Sequence, residues 1–118
     1  MPEARPDCIF CAIVAGDSPA ETIDSDEHTV TLMDINPATK GHALVIPRRH
    51  IATLNELTPS EDALLGSMIR RAAAIAKERG FEESGYRTVL NCNGHAGQSV
   101  FHIHLHVLGG RPMTWPPG

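Results

Sequence analysis

The stretch Phe101 to Gly110, Phe-His-Ile-His-Leu-His-Val-Leu-Gly-Gly, constrains the fold more than any other. His102, His104 and His106 alternate with Ile103, Leu105 and Val107. Successive side chains of an extended chain point to opposite faces. This period of two therefore sets three imidazoles on one face, roughly 7 Å apart from one to the next, with the aliphatic residues turned into a core. A helix would scatter the histidines around its axis, so the spacing predicts a strand over 101–108. Imidazole titrates near neutral pH, and the row offers a nucleophile, acid/base groups or metal ligands. A purely structural strand would be better served by Thr or Ser, because three neighbouring imidazolium charges repel.

The rest of the chain must supply that core. Its 118 residues, 42% hydrophobic, suffice for one domain over 1–118. No apolar run reaches the length of a membrane span. The start, Met-Pro-Glu-Ala-Arg-Pro-Asp, lacks the apolar region of a secretion signal, so a cytoplasmic location and no membrane partner are expected. A net charge of −4 argues against a polymeric nucleic-acid partner, but a single nucleotide needs only a local cradle. Residues 1–7 read as loose and 109–118 as an irregular tail. Cys8, Cys11 and Cys92 are an odd count and do not read as a disulfide framework. Cys8-Ile9-Phe10-Cys11 is a C-x-x-C spaced for one metal or for redox chemistry, and Cys92 reads as a buried spectator.

Strands are expected over 21–24 and 28–34, around the turn signal Asp24-Ser25-Asp26-Glu27, and over 41–47, ended by Pro47. Residues 8–15 suit one or two helical turns stopped by Gly16. Thr58-Pro59-Ser60-Glu61 reads as a helix start: Thr58 caps, Pro59 takes the first helical position and Glu61 completes a capping box. Leu64, Leu65, Met68, Ala72, Ile75 and Ala76 then recur at helical spacing up to Gly80. Strands over 86–91 and 101–108 flank a Gly-rich loop at 92–98. The sum is an α+β domain, an antiparallel sheet carrying one long helix and a shorter helix near the start.

Four constellations carry chemistry. His104 is central in its row, and a histidine nucleophile needs one ring nitrogen free and the other held as a donor. His106 can then act as an acid or bond a phosphate. In the loop Asn91 to Ser99, glycines let backbone N–H groups approach an anion, and Gln98 and Ser99 add neutral donors. Asp34, before Ile35-Asn36-Pro37, either accepts from a ribose diol or starts a turn. Cys8 and Cys11 could share a zinc with two of the seven histidines.

His102-Ile103-His104-Leu105-His106-Val107-Leu108 resembles the His-φ-His-φ-His-φ-φ signature of the histidine triad (HIT) superfamily, φ being apolar. The likeness extends to Cys8–Cys11, Asp34–Pro37, Gly41-His42, Val45–Pro47, His50 and Gly97–Val100, and the ending Gly109-Gly110-Arg111 with Trp115–Gly118 looks like its nucleotide-binding Hint branch. The resemblance implies a HIT-like fold with a five-stranded sheet that extends across a homodimer. It implies a hydrolase of purine nucleoside phosphoramidates that releases AMP or GMP through a nucleotidyl-histidine. His104 would be the nucleophile, His106 and Ser99 phosphate contacts, and His42 a fourth histidine beside the triad. Asn91, Gly97 and Gln98 would line the phosphate site, Asp34 bind the ribose, and Ile9, Phe10 and Ile35 wall the base pocket. Cys8, Cys11, His50 and His102 would hold a structural zinc, with no catalytic metal. Neighbouring branches include dinucleoside polyphosphate hydrolases, and a nucleotide-binding scaffold is the remaining alternative.

Overall fold

The computed structural model describes residues 4–118. Five strands, β1 (Thr22–Ser25), β2 (Thr29–Met33), β3 (Ala43–Pro47), β4 (Tyr86–Val89) and β5 (Leu105–Gly109), form one sheet. Its order is β1-β2-β3-β5-β4, with every neighbouring pair antiparallel. The helices are α1 (Ile9–Ala15), α2 (Asp62–Glu78) and the single turn α3 (Asn93–Ala96). The expected α+β, HIT-like architecture is the one observed.

β3 is buried along its whole length because both faces of the sheet are covered. Ala43, Val45, Ile103, Leu105 and Val107 pack against Met68, Ala72 and Ile75 of α2. Leu44 and Ile46 turn the other way, to Phe10 of α1 and Val30 and Leu32 of β2. Each such aliphatic side chain contributes roughly 1.5–3 kcal/mol by leaving water. Because His106 pairs with Leu44, the histidine face looks toward α1.

The helix signals are realised. Thr58 and Glu61 make the capping box, with Pro59 opening a short 3-10 turn that runs into α2. Gly80 follows with φ +85°, a conformation that favours glycine. Cys8 caps α1 by accepting from the Cys11 N–H, and Gly16 ends it in the left-handed region. Gly41 and Gly109 serve a different purpose: a Cβ on either would lie 2.2–2.3 Å from the Phe81 ring. Of the segment expected to be loose, residues 1–3 lie outside the described residues, and Arg5 accepts from the Cys8 N–H at 3.1 Å.

Three expectations are corrected. The last strand begins at Leu105, so only His106 of the histidine row lies in the ladder. Continuing the β3–β5 register would set Pro47 opposite Ile103. Pro47 has no N–H to offer, and its carbonyl is taken by the His102 side chain at 2.8 Å. Ile103 bonds instead to the Ile51 carbonyl at 2.8 Å. The loop 92–98 is not wholly irregular, since α3 forms within it and Gly97 closes it at φ +83°. Cys92 is half-buried rather than buried.

Candidate active site and metal centre

His104 is buried just ahead of β5, with its Nδ1 2.9 Å from the carbonyl oxygen of His102. A carbonyl only accepts, so Nδ1 carries the proton and Nε2 keeps its lone pair. Folding thus holds the central imidazole in the tautomer a nucleophile requires.

The neighbouring pair is fixed the other way. The Ala38 N–H donates to His42 Nδ1 at 2.9 Å, leaving the His42 proton on Nε2. That nitrogen lies 2.8 Å from His106 Nδ1, which must accept, so His106 carries its proton on Nε2. His106 Nε2 is buried and has no hydrogen-bond partner among the described residues. An unmade bond of this kind costs about 1–3 kcal/mol and marks a donor awaiting an acceptor. Burial, reinforced by His104 and His42, pushes His106 down to about 4, so it is neutral at pH 7. Burial also lowers His42, against the opposing pull of the Asp34 carboxylate. The His104 and His106 ring centroids are 5.0 Å apart, which sets a free lone pair beside a free N–H.

Both rings border a cleft of about 350 Å³, within the size range of small-ligand sites. Ile9, Phe10, Asp34, Ile35 and Ser99 line it as well. Phe10 meets His104 edge-on at 5.1 Å, while Ile35 remains 88% exposed and Ile9 48% exposed. Asp34 starts the turn and also faces the histidine pair. Its Oδ1 accepts from the Asn36 N–H at 2.8 Å, and its Oδ2 lies 3.5 Å from His42 Nε2. Asp34, His42 and His106 could geometrically surround a cation, but the His42–His106 hydrogen bond occupies both facing nitrogens.

Gln98 departs from its expected part. It is buried, accepts from the Asn93 N–H at 2.8 Å and donates to the carbonyls of Ala52 and Val100 at 2.8 and 3.1 Å. Its amide braces the loop, and neither Gln98, Gly97 nor Asn91 is among the cleft-lining residues. Leu44 and Val100, which also line the cleft, and the backbone groups of Ala38, Pro47 and His102 belong to the site without being singled out by the sequence motifs. For Leu44 the signal was present, since alternation along 43–47 sets it on the histidine face.

His102 belongs to a second cluster. It is fully buried, and its Nε2–H donates to the Pro47 carbonyl, which turns the Nδ1 lone pair toward two thiols. Cys8 Sγ and Cys11 Sγ lie 3.4 and 3.6 Å from that nitrogen, and Cys11 Sγ lies 3.3 Å from His50 Nδ1. The four ligand atoms fall within 4.8 Å of one another. Bond lengths of a tetrahedral zinc with two sulfur and two nitrogen ligands require separations of about 3.3–3.8 Å. The donor set and spacing therefore fit zinc, and this cluster could bind it. Burial lowers His102 to about 4 and lowers His50, so both imidazoles are in the neutral form that ligates.

A family model described as "Scavenger mRNA decapping enzyme C-term binding" matches residues 7–115. The purine nucleoside phosphoramidase of Escherichia coli K12 is 41% identical over 105 residues, covering 89% of this chain and 88% of the relative. A HIT family hydrolase from Legionella pneumophila Philadelphia 1 superposes with a TM-score of 0.93 at 46% identity, over 95% of this chain and 100% of that one. A zinc-bound histidine triad family protein from Mycobacterium smegmatis superposes with a TM-score of 0.77 at 41% identity, over 89% of this chain and 76% of that one. No helix among the described residues is long and apolar enough to cross a membrane.

Proposed function

The chain belongs to the histidine triad (HIT) superfamily, and on that premise we propose that it hydrolyses purine nucleoside phosphoramidates, releasing AMP or GMP through a nucleotidyl intermediate on His104. The observation that carries the reading is the opposite tautomers of His104 and His106 on one cleft wall. His104 Nε2 attacks the α-phosphorus, forming an N–P bond as the bond to the amine breaks. His106 Nε2–H donates to a phosphoryl oxygen and stabilises the charge spread over it. A neutral imidazole whose other nitrogen already accepts is a hydrogen-bond donor rather than a proton source. The departing amine therefore takes its proton from solvent water, relayed through a phosphoryl oxygen. Water then cleaves the N–P bond, releasing the nucleoside monophosphate and restoring His104.

Ile9, Phe10 and Ile35 suit the base, Asp34 the ribose and Ser99 the phosphate. A second hollow, of about 460 Å³, shares Ile9 and Ser99 with the cleft and leaves room for a leaving group. In the same reading Cys8, Cys11, His50 and His102 hold one structural zinc. Two chains join their five-stranded sheets into one, with the long helix α2 contributing to the interface, as the superfamily resemblance implies.

A substrate panel tests the proposal. An adenosine phosphoramidate should be cleaved faster than diadenosine polyphosphates. The reverse order would assign the chain to dinucleoside polyphosphate hydrolysis. Tight AMP binding with no turnover of any substrate would make it a binding protein.

A further inference from the structure

We propose that the Cys8/Cys11/His50/His102 cluster and the nucleotide cleft are one coupled unit, so that metal and nucleotide each tighten the binding of the other. The inference rests on the nucleotide reading of the cleft given above. Two joints connect the sites. The first is the C-x-x-C itself: Cys8 and Cys11 bracket Ile9 and Phe10, and both bracketed residues line the cleft. α1 has seven residues, too few to be a stable helix alone, so its ties to the rest of the molecule set its position. The thiols are such ties, facing His102 and His50 at 3.3–3.6 Å. Phe10 stands edge-on to His102 at 5.8 Å and to His104 at 5.1 Å, touching the ligand and the nucleophile with one ring.

The second joint is His102. Its ring reaches the thiols through Nδ1, while its own carbonyl holds the His104 Nδ1–H. Fixing the His102 ring fixes the residue whose carbonyl aims the nucleophile. The adjoining backbone is laced in as well, because Ile103 N–H donates to the carbonyl of Ile51, next to His50. Cys8, Cys11 and His50 thus act as positioning residues for a nucleotide cleft whose walls they do not form, although Cys8 and His50 border the neighbouring hollow. Release of the metal frees the base-pocket wall and the His102 carbonyl together. Linkage then requires that a nucleotide, by ordering the same wall and carbonyl, tighten the metal by the same factor.

The test starts from zinc-loaded protein, with AMP binding measured by calorimetry. Loaded protein that fails to bind AMP would overturn the nucleotide reading itself. Where AMP binds, chelation of the metal should weaken it at least about fivefold while circular dichroism stays folded. An unchanged AMP affinity in folded, stripped protein would overturn the coupling and leave the nucleotide reading standing. Should the stripped chain unfold, protein loaded with ¹¹³Cd²⁺ supplies the readout. Saturating AMP should move the cadmium resonance of a site it does not contact, and a resonance that stays put would overturn the coupling.

Discussion

His102 and His106 stand on either side of His104 and are held in opposite ways. At His102 both ring nitrogens have a use: Nε2 bonds the Pro47 carbonyl and Nδ1 meets the thiols of Cys8 and Cys11. At His106 only Nδ1 is used, and Nε2–H has no partner among the described residues. One end of the row is completed by the chain, in a cluster that could bind zinc, while the other keeps an unused donor facing the cleft. Folding stability accrues at the first end, and the unmade hydrogen bond at the second is a cost carried for binding.

The largest test of this contrast is His104→Ala. Turnover should fall on the order of 10⁴-fold or more while AMP still binds, and near-wild-type turnover would remove the nucleophile from the account. His106→Ala should cost on the order of 10²-fold in kcat, the usual scale for one lost donor to a developing oxyanion, with little effect on melting temperature. Cys8→Ser/Cys11→Ser should reverse that profile. Elemental analysis should fall from about one zinc per chain to none, with melting lowered by about 10 °C or more. A double variant as stable as the parent would sever the metal from the fold.

The contrast depended on groups that a sequence does not display. The helix start at Thr58, the C-x-x-C and the alternation of 102–107 are local patterns, and each was legible because its cause lies within a few residues. The end of the β5 ladder was not, because it depends on Pro47 and on a side chain 55 residues away claiming its carbonyl. The bracing bonds of Gln98 are hidden for the same reason: its amide bonds Asn93, Ala52 and Val100, partners that only the fold brings near. The tautomers rest on the carbonyl of His102 and the N–H of Ala38, and every residue carries such groups.

Two smaller effects sharpen the picture. His106 is held near 4, below the ordinary histidine value of about 6.5. Between those values the unfolded chain takes up a proton that the folded chain refuses. This contribution to stability is complete above pH 6.5 and is lost as pH falls toward 4. Denaturation midpoints of metal-loaded protein should therefore be lower at pH 5 than at pH 7.5, and His106→Ala should flatten part of that slope. Gly109→Ala, which drives a methyl into the Phe81 ring, should destabilise by about 1–3 kcal/mol without altering zinc content.

The most direct test of the divided row is the tautomer of each imidazole, read from ¹⁵N–¹H long-range NMR correlations of the metal-loaded protein at pH 7.5. The account predicts the proton on Nε2 in His42, His102 and His106, and on Nδ1 in His104 alone. A proton on Nε2 of His104 would occupy the attacking nitrogen and contradict it.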